Sequence, residues 1–418
     1  MLAWGAVALL LTAVPAAAAA RVSSPLHALK SALRSGMRQI GPASGAYVLD
    51  MTTGQTLFAR NANVGRMPAS VEKLYTTSTA LLDFGPTATL TTSVLGIGSL
   101  DPTGIWQGTL YLKGEGDPTF GSASFDHAWY GTGATMRQLV ANLLQTAHIT
   151  AVQGQIVGDG SYFDQYHGTP ATGFRTDLPD VEGELGALIF DRGFADSSGI
   201  VPQAHPVLYA AQRFIAALRL AGVKVPASTP IYGGPTPSTA QQLASITSPP
   251  MSTLIQLTNT PSDNFFAEML LKDLGAQFGG AGTTAAGVAV VRAELQSKFG
   301  ITPQLNDGSG LSRADSTTPR QVVTLLQQMY SDPYFFNSLA IGGETGTLHH
   351  EMVGTAAQGV CHGKTGTLHD VASLAGYCRA RDGHELAFAF LANRLGSPDY
   401  VHYIEGNKMA VALAKYNG

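Results

Sequence analysis

Residues 68–77 of the chain read PASVEKLYTT and contain a serine and a lysine three positions apart. Pro68 is a favourable first-turn residue, so we predict a helix from here to about residue 83. Ser70 then lies in the first turn, and Lys73 follows one turn later on the same face. A serine hydroxyl becomes a nucleophile when a base takes its proton, and a lysine amine can be that base if its pKa is depressed. The alternative for this motif alone is a capping serine beside a surface lysine.

The composition limits the classes of protein to which the chain can belong. It has 418 residues, of which 44% are apolar and 13% charged, with a formal net charge of −4. This length suggests two or three domain-sized units with a sizeable core. High apolarity and low charge density argue against wholesale disorder, and the weakly acidic balance gives no support for a nucleic-acid partner. Two cysteines are too few for a disulfide-dense scaffold or a four-cysteine zinc site.

The first 20 residues have the pattern of a secretory signal peptide. An apolar run, residues 2–14, is followed by small residues up to Ala20, and we predict cleavage near Arg21. No lysine or arginine precedes the run, and a buried N-terminal helix or an uncleaved membrane anchor is the alternative. No other stretch approaches the ~18 uninterrupted apolar residues of a membrane span. We expect an exported, periplasmic protein without a membrane span after cleavage.

The pattern of helix and strand changes twice along the chain. A helix in residues 26–40 and a hairpin in residues 45–61 precede the Pro68 helix. From residue 85, short strand-like runs alternate with glycine and proline turns, and residues 229–239 look like a boundary loop. Because early and late strands both lie next to helices, they can share one sheet with the middle inserted. The later predicted elements are helices at 284–298 and 400–415, two helices that flank Pro261, and strands within 359–380 and 385–393.

Two further short motifs follow the first. Ser-Asp-Asn at residues 262–264 comes directly after a proline and opens an apolar helix. Lys-Thr-Gly at residues 364–366 lies in VCHGKTGTL, which we predict to be a strand. Alone, the first is explained by a helix cap and the second by an exposed edge-strand lysine. With Ser70-x-x-Lys73, the ordered set is typical of penicillin-binding proteins and class A β-lactamases.

Longer blocks of sequence are more specific than these motifs. They are PASVEKLYTT (68–77), LYLKGEGDPTF (110–120), GQIVGDGSYFD (154–164), SPPMSTLIQLTNTPSDNFFAEMLL (248–271), NDGSGLSR (306–313) and GKTGTLHDVASLAGY (363–377). On these blocks the chain resembles the low-molecular-mass class C penicillin-binding proteins, the D-alanyl-D-alanine carboxypeptidase/endopeptidase group typified by penicillin-binding protein 4.

The resemblance implies an α/β (α+β) fold, the penicillin-binding/β-lactamase-like transpeptidase domain. Its antiparallel sheet is flanked by helices and split by a strand-rich insertion domain. The expected units are the signal peptide 1–20, the first part of the catalytic domain 21–84, the insertion domain 85–240 and the second part of the catalytic domain 241–418. One departure is that only SSGIVPQAHP, residues 197–206, follows the block GALIFDRG, where the group typically carries a further strand-rich module.

The resemblance also implies catalytic roles. Ser70 is expected to be the nucleophile that forms an acyl-enzyme, and Lys73 its general base. Ser262 is expected to pass a proton to the leaving D-alanine nitrogen. The backbone N–H groups of Ser70 and Thr367 are expected to form the oxyanion hole, which stabilises the charge that develops on the attacked carbonyl.

Substrate-binding roles follow in the same way. Asn264 is expected to contact the substrate amide and Lys73. Lys364, helped by Thr365, is expected to hold the terminal carboxylate. Gly366 permits a close approach of the ligand backbone to this strand.

No cofactor and no metal is implied. Residues 349–351, His-His-Glu, do not form H-E-x-x-H, and we interpret them as a surface turn. Gly114-Glu115-Gly116 lacks the rest of a nucleotide-binding loop. For Asp117, Asp307 and Ser309 we prefer a role in turns, because Asp and Ser beside Gly build turns.

The two cysteines can be paired if His369-Asp370 is the centre of a turn. Cys361 and Cys378 are then directly opposed on antiparallel strands, within disulfide range, and export permits the bond. Two small buried apolar residues are the alternative.

The predicted function is a serine D-alanyl-D-alanine carboxypeptidase/endopeptidase that acts on peptidoglycan stem peptides through a Ser70 acyl-enzyme. Its expected partners are peptidoglycan peptides and β-lactams, which would inhibit it. A β-lactamase or esterase of the same fold is one alternative. A non-catalytic peptidoglycan-binding protein is the other, although it would have no chemical need for intact Ser70, Lys73, Ser262 and Lys364.

Overall fold

The computed structural model describes Met1 and residues 24–196, 199–396 and 406–418. The predicted signal peptide therefore lies outside the described residues apart from Met1, and so does the start of the predicted last helix. The helices are α1 (Pro25–Gln39), α2 (Lys73–Phe84), α3 (Ala123–Trp129), α4 (Met136–Ala147), α5 (Leu178–Val181), α6 (Pro206–Leu220), α7 (Met251–Asn259), α8 (Asn264–Phe278), α9 (Thr284–Phe299), α10 (Pro319–Met329), α11 (Pro333–Ser338) and α12 (Asn407–Ala414). The strands are β1 (Gly45–Asp50), β2 (Thr56–Arg60), β3 (Thr91–Leu100), β4 (Ile105–Gly114), β5 (Ala151–Asp159), β6 (Ile231–Gly233), β7 (Gln241–Thr247), β8 (Ala340–Ile341), β9 (Cys361–Leu368), β10 (Val371–Arg379) and β11 (Glu385–Asn393).

Early and late strands share one antiparallel sheet, as the sequence predicts. Its order is β2-β1-β11-β10-β9-β8, so the first hairpin pairs through β1 with the last strand, β11. A second sheet, in the order β6-β5-β4-β3-β7, forms in the middle of the chain and mixes antiparallel with parallel pairs. The predicted fold, a helix-flanked antiparallel sheet split by a strand-rich insertion, is confirmed.

The second sheet extends beyond the predicted end of the insertion at residue 240. Residues 229–239, which look like a boundary loop in the sequence, contain β6, and β7 follows directly. β6 pairs with β5 and β7 pairs with β3. The turn-rich composition therefore marks a connection inside the second sheet, and the chain leaves that sheet only after Thr247.

The six-stranded sheet is buried on both faces. Alternate residues of a strand point to opposite faces. Tyr47, Leu49 and Leu391 belong to the core cluster that also contains residues of α2, α7, α8 and α10. Val48 and Phe390 belong to the cluster that contains α1 and α12 residues. The strands β10 and β11 therefore lie in a packed interior, and β9 is held beside them by its pairing with β10.

The first helix forms where the apolar spacing predicts it. Ser24 caps α1 by accepting a hydrogen bond from the His27 amide, and Pro25 occupies the first turn. Leu29, Leu33 and Met37 are buried. None of the helices in the described ranges has the length and apolar character needed to cross a bilayer.

The two cysteines form a disulfide across β9 and β10. Cys361 lies directly opposite Cys378, and the turn between the strands is centred on residues 369–370, as predicted. The bond closes a loop with a sequence separation of 17 and spans the hairpin that carries Lys364.

Reduction of this disulfide is expected to lower the free energy of unfolding by about 2–3 kcal/mol, because the reduced unfolded chain regains the entropy of that loop. Denaturant unfolding with and without dithiothreitol measures the change. The double variant Cys361→Ala/Cys378→Ala is the control, and its unfolding should not respond to dithiothreitol. An oxidised wild type whose midpoint does not move on reduction would contradict the prediction.

Candidate active site

Ser70 lies in a tight turn that two neighbouring segments hold in place. The predicted helix at Pro68 is a 3-10 turn, Ala69–Glu72, followed by α2. A Cβ atom added at Gly366 of β9 would lie 3.0 Å from the Ser70 amide nitrogen, so the strand can approach this turn only because residue 366 is glycine. On another side, a Cβ at Gly310 would lie 2.0 Å from the Ala69 carbonyl oxygen. Ala69 itself has a φ of +49°, which is strained for a residue with a Cβ.

Lys73, the first residue of α2, has no exposed side-chain surface and makes three hydrogen bonds. Its Nζ donates to Ser70 Oγ at 2.8 Å, to Asn264 Oδ1 at 2.6 Å and to the Ser309 carbonyl at 2.8 Å. Burial disfavours the charged form and lowers the pKa of Lys73 to about 8, from an ordinary 10.5. The amine is therefore within proton-transfer distance of the hydroxyl, and about a tenth of it is neutral at pH 7.

A loop behind Lys73 is fixed by one buried carboxyl group. Glu268 of α8 accepts hydrogen bonds through Oε1 from the amides of Gly308 and Ser309 at 3.0 and 2.9 Å, and from Ser309 Oγ at 2.6 Å. The Ser309 carbonyl of the same loop accepts from Lys73. Burial, followed by the charge of Asp307, raises the pKa of Glu268 to about 8. The carboxyl group thus determines where one of the three acceptors around the lysine lies.

Three further acids lie together near this loop. Glu72, Asp307 and Asp315 are buried, and they offer ligand atoms within 4.8 Å of one another. Among the described residues this is the group with spacing suited to a metal ion. However, both oxygens of Asp307 already accept backbone amides, from Gly310 and Ser312. Burial raises the pKa of Asp315 to about 8 and that of Glu72 well above its ordinary value, so the group holds protons at neutral pH.

The Ser-Asp-Asn motif lies at the turn between α7 and α8. Ser262 has a φ of +71° and is half-buried, and within the described part of the chain its side chain makes no hydrogen bond. Asp263 caps α8 by accepting from the Phe266 amide at 2.9 Å. Asp263 is therefore a helix cap, as the alternative explanation of the Ser-Asp-Asn motif predicts. This capping role coexists with the contact between Asn264 and Lys73.

The Lys-Thr-Gly motif lies on β9 just beyond the two residues that pair with β8, where the strand packs against the Ser70 turn and is not exposed. Lys364 is fully buried, and its Nζ donates to the Thr365 carbonyl at 2.9 Å. Thr365 Oγ1 donates to Thr347 at 2.8 Å. Burial, followed by repulsion from the Lys73 ammonium, holds the pKa of Lys364 well below its usual range. A carboxylate that arrived here would pair with Lys364 and favour its charged form. Thr367, further along the strand, is exposed.

Two further sequence predictions, for Asp117 and for residues 349–351, concern turns. Asp117 accepts from the amide and hydroxyl of Thr119, which is a turn interaction, although the residue is buried and its pKa is raised to about 7 by burial. His349 and His350 are exposed in a turn, as predicted, whereas Glu351 is buried and bonds to Asn407. The surface-turn interpretation is therefore wrong for Glu351, because its carboxylate has a buried amide partner.

Sequence reasoning missed two parts of the site. For Ser309 only a turn was expected, yet its carbonyl is a hydrogen-bond partner of Lys73. Glu268 stands in the sequence only as one acid within the apolar stretch that follows the Ser-Asp-Asn motif. The available signal was the pair of blocks that contain them, NDGSGLSR and SDNFFAEMLL, but no pattern within either block identifies a backbone carbonyl as a partner.

Comparisons with known proteins agree with this architecture. The family model described as the D-Ala-D-Ala carboxypeptidase 3 (S13) family matches residues 27–180 and 195–415. A D-alanyl-D-alanine carboxypeptidase of Actinomadura sp. (strain R39) is 31% identical over 459 residues, which cover 90% of this chain and 82% of that protein. Carboxypeptidase DacB of Mycolicibacterium smegmatis is 29% identical, over 84% of this chain and 76% of that protein.

A solved structure has the same fold. The crystal structure of penicillin binding protein 4 from Haemophilus influenzae superposes with a TM-score of 0.74 and covers 91% of this chain and 97% of its own. Only 19% of the residues are identical, so this likeness concerns the fold alone.

Proposed function

This chain belongs to the D-Ala-D-Ala carboxypeptidase 3 (S13) family and is a serine-type carboxypeptidase, and we propose that it removes the terminal D-alanine of peptidoglycan stem peptides through an acyl-enzyme on Ser70. The observation that supports this most directly is the 2.8 Å hydrogen bond between Ser70 Oγ and the buried amine of Lys73. A nucleophile, a base with a lowered pKa and a cation for the terminal carboxylate meet here.

In the acylation step, neutral Lys73 takes the proton of Ser70 as the serine oxygen attacks the carbonyl of the penultimate D-alanine. The oxyanion that forms accepts hydrogen bonds from the backbone N–H groups of Ser70 and Thr367. The close packing of Gly366 against the Ser70 amide supports this assignment, because it brings β9 beside the nucleophile. The positioned donors need no reorganisation during the reaction, which is the source of their effect.

The leaving D-alanine nitrogen must gain a proton before the C–N bond breaks. Ser262 passes this proton from protonated Lys73 to the nitrogen. Asn264, whose Oδ1 already accepts from Lys73, also contacts the substrate amide. Lys364, with Thr365, pairs with the terminal carboxylate. Water then hydrolyses the acyl-enzyme and releases the shortened peptide.

β-Lactams fit the same scheme, because their strained amide would acylate Ser70 while the leaving nitrogen remains attached to the adduct. We propose that they inhibit this enzyme. We also propose export to the periplasm after removal of residues 1–20, and the Cys361–Cys378 disulfide supports export because such bonds persist in oxidising compartments.

The activity is expected to rise with pH up to about 8. Only neutral Lys73 can accept the serine proton, and burial lowers its pKa to about 8, so kcat/KM should fall roughly tenfold per unit below that value. Rates of D-alanine release between pH 6 and 9 test this, with circular dichroism at each pH to show that the protein stays folded. A constant rate between pH 6 and 8 would contradict Lys73 as the base.

The preferred substrate is tested by comparing two reactions of the same preparation. One is the release of free D-alanine from a pentapeptide, and the other is the cleavage of cross-linked muropeptide dimers. Release of D-alanine by the wild type and none by Ser70→Ala supports the carboxypeptidase. Binding of the pentapeptide without release from the folded wild type would instead support a non-catalytic binding protein.

A further inference from the structure

The insertion contributes a buried cation to the neighbourhood of the Ser-Asp-Asn motif. Arg192, in the short turn Asp191–Gly193, is only 2% exposed. Its guanidinium carbon lies between 4.9 and 5.4 Å from the centroids of four aromatic rings, so the charge is shielded from water on several sides. Two of the rings belong to the insertion and two to α8; they are Trp129, Tyr130, Phe265 and Phe266.

The ionic partner of Arg192 is the middle residue of the motif. Arg192 Nη2 bonds to Asp263 Oδ2, and the other carboxylate oxygen of Asp263 accepts from the Phe266 amide at 2.9 Å. The carboxylate thus joins the insertion to the first turn of α8. Loss of one member of a buried ion pair is strongly destabilising, because the other charge is left buried without a partner. The pair therefore specifies one arrangement of the insertion relative to α8.

A second contact from the insertion acts on Asn264. Asn264 Nδ2 donates to the carbonyl of Asp180, in α5, at 2.7 Å. A carbonyl can only accept a hydrogen bond, so it requires the NH2 side of the amide and leaves Oδ1 to face Lys73. Nearby, Gly183 packs on Phe265 so closely that a Cβ atom would lie 2.4 Å from the ring.

Ser262 lies between these two restrained residues and α7. Its φ of +71° lies in the left-handed region, which is strained for a non-glycine residue and persists only where the surroundings enforce it. The Arg192–Asp263 pair and the Asp180–Asn264 bond hold the residues that follow it.

We propose that the insertion segment 178–192 is a positioning element of the active site, in which Arg192 acts through Asp263 to place Ser262 and Asn264. Arg192 is a positioning residue, because it touches neither substrate nor the reacting atoms. The inference rests on the proposed function, since it concerns the proton that Ser262 passes to the leaving amine. It gives the short insertion a role in catalysis that does not depend on any further module.

The test uses two substrates that differ in their leaving group. One is an acyl-D-Ala-D-Ala peptide, whose amine must be protonated before it leaves. The other is the matched thioester, whose thiolate leaves without a proton. If Arg192 positions the proton relay, Arg192→Lys should lower kcat/KM for the peptide by about 10²-fold and for the thioester by less than tenfold, since positioned proton transfer contributes about 10²–10⁴-fold. Lysine keeps the buried charge but lacks the fork of the guanidinium.

Arg213→Lys is the matched control. Arg213 also belongs to the insertion and stacks on a ring, Phe190, at 5.5 Å, but its side chain is exposed. The kcat/KM of the Arg213→Lys enzyme should equal that of the wild type for both substrates. A second variant, Arg192→Met combined with Asp263→Asn, removes both charges, so that neither is left unpaired, and should show the same selective loss on the peptide.

Equal losses on peptide and thioester, or wild-type rates on both in a folded Arg192→Lys enzyme, would overturn this inference. Thermal unfolding and near-ultraviolet circular dichroism establish that each variant is folded. A folded wild type that turns over neither substrate would instead overturn the proposed function, so the two failures are distinguishable.

Discussion

Replacement of Lys73 by methionine is expected to lower the rate of acylation by benzylpenicillin by about 10³-fold or more. Methionine keeps much of the volume of the buried side chain but cannot accept the proton of Ser70, and general-base catalysis contributes about 10²–10⁴-fold. The variant also loses the hydrogen bonds to Asn264 and to the Ser309 carbonyl, so substrate positioning suffers as well. Time-resolved intact-mass measurements give the rate.

Lys224→Met is the matched control for this experiment. Lys224 is exposed and lies in the insertion, where its backbone bridges to Ala151 at the start of β5. Its replacement should leave the acylation rate unchanged. Acylation of a folded Lys73→Met variant at the wild-type rate would show that another group activates Ser70.

Replacement of Glu268 by leucine is the second change with a large expected effect. The carboxyl oxygen Oε1 accepts three hydrogen bonds from the loop at residues 308–309, and leucine would leave all three donors buried without an acceptor. Each such donor costs about 1–3 kcal/mol, so we expect the free energy of unfolding to fall by about 4 kcal/mol. The Ser309 carbonyl would move with its loop, and acylation should slow as well.

Glu268→Gln separates the hydrogen bonds from the charge. Glutamine keeps a side-chain oxygen that can accept the same three bonds. Because burial raises the pKa of Glu268 to about 8, the group is largely protonated at pH 7, and an uncharged amide replaces it with little electrostatic change. We therefore expect Glu268→Gln to unfold within about 1 kcal/mol of the wild type. Denaturant unfolding at pH 7 measures both variants, and equal destabilisation of both would contradict this account.

The residues that meet around Lys73 differ in how far the sequence could predict them. Ser70 and Lys73 are separated by one helical turn, so local spacing alone brings their side chains together. Asn264 is distant in sequence, and only the resemblance to a family placed it beside Lys73. Ser309 contributes a backbone carbonyl, which every residue type carries, so no sequence pattern distinguishes it.

The fold shows the same division between local and distant interactions. Cys361 and Cys378 are equally distant in sequence from the turn at residues 369–370, so their pairing could be predicted. The register of β9 and β10 agrees with that prediction. The end of the insertion does not follow from composition, because a turn-rich loop inside a sheet resembles a loop between domains. The pairing of β7 with β3 spans about 150 residues of chain, and the strand pattern of β7 alone could not reveal it.

Sequence patterns do not reveal the Arg192–Asp263 pair either. The sequence shows one arginine after an acidic residue in GALIFDRG and one aspartate within a motif that a helix cap explains. Only the packing of the insertion against α8 brings the guanidinium and the carboxylate together and buries the guanidinium among four rings. Contacts between segments that are distant in sequence depend on shape, which single-residue patterns do not encode.

The proposed function requires that Ser70 be acylated, and intact-mass spectrometry of the protein after incubation with benzylpenicillin detects this step. The wild type should gain the mass of one penicillin molecule, peptide mapping should place the adduct on the peptide that contains Ser70, and Ser70→Ala should gain nothing. A folded wild type whose mass does not change, or an adduct that persists in Ser70→Ala, would contradict the account.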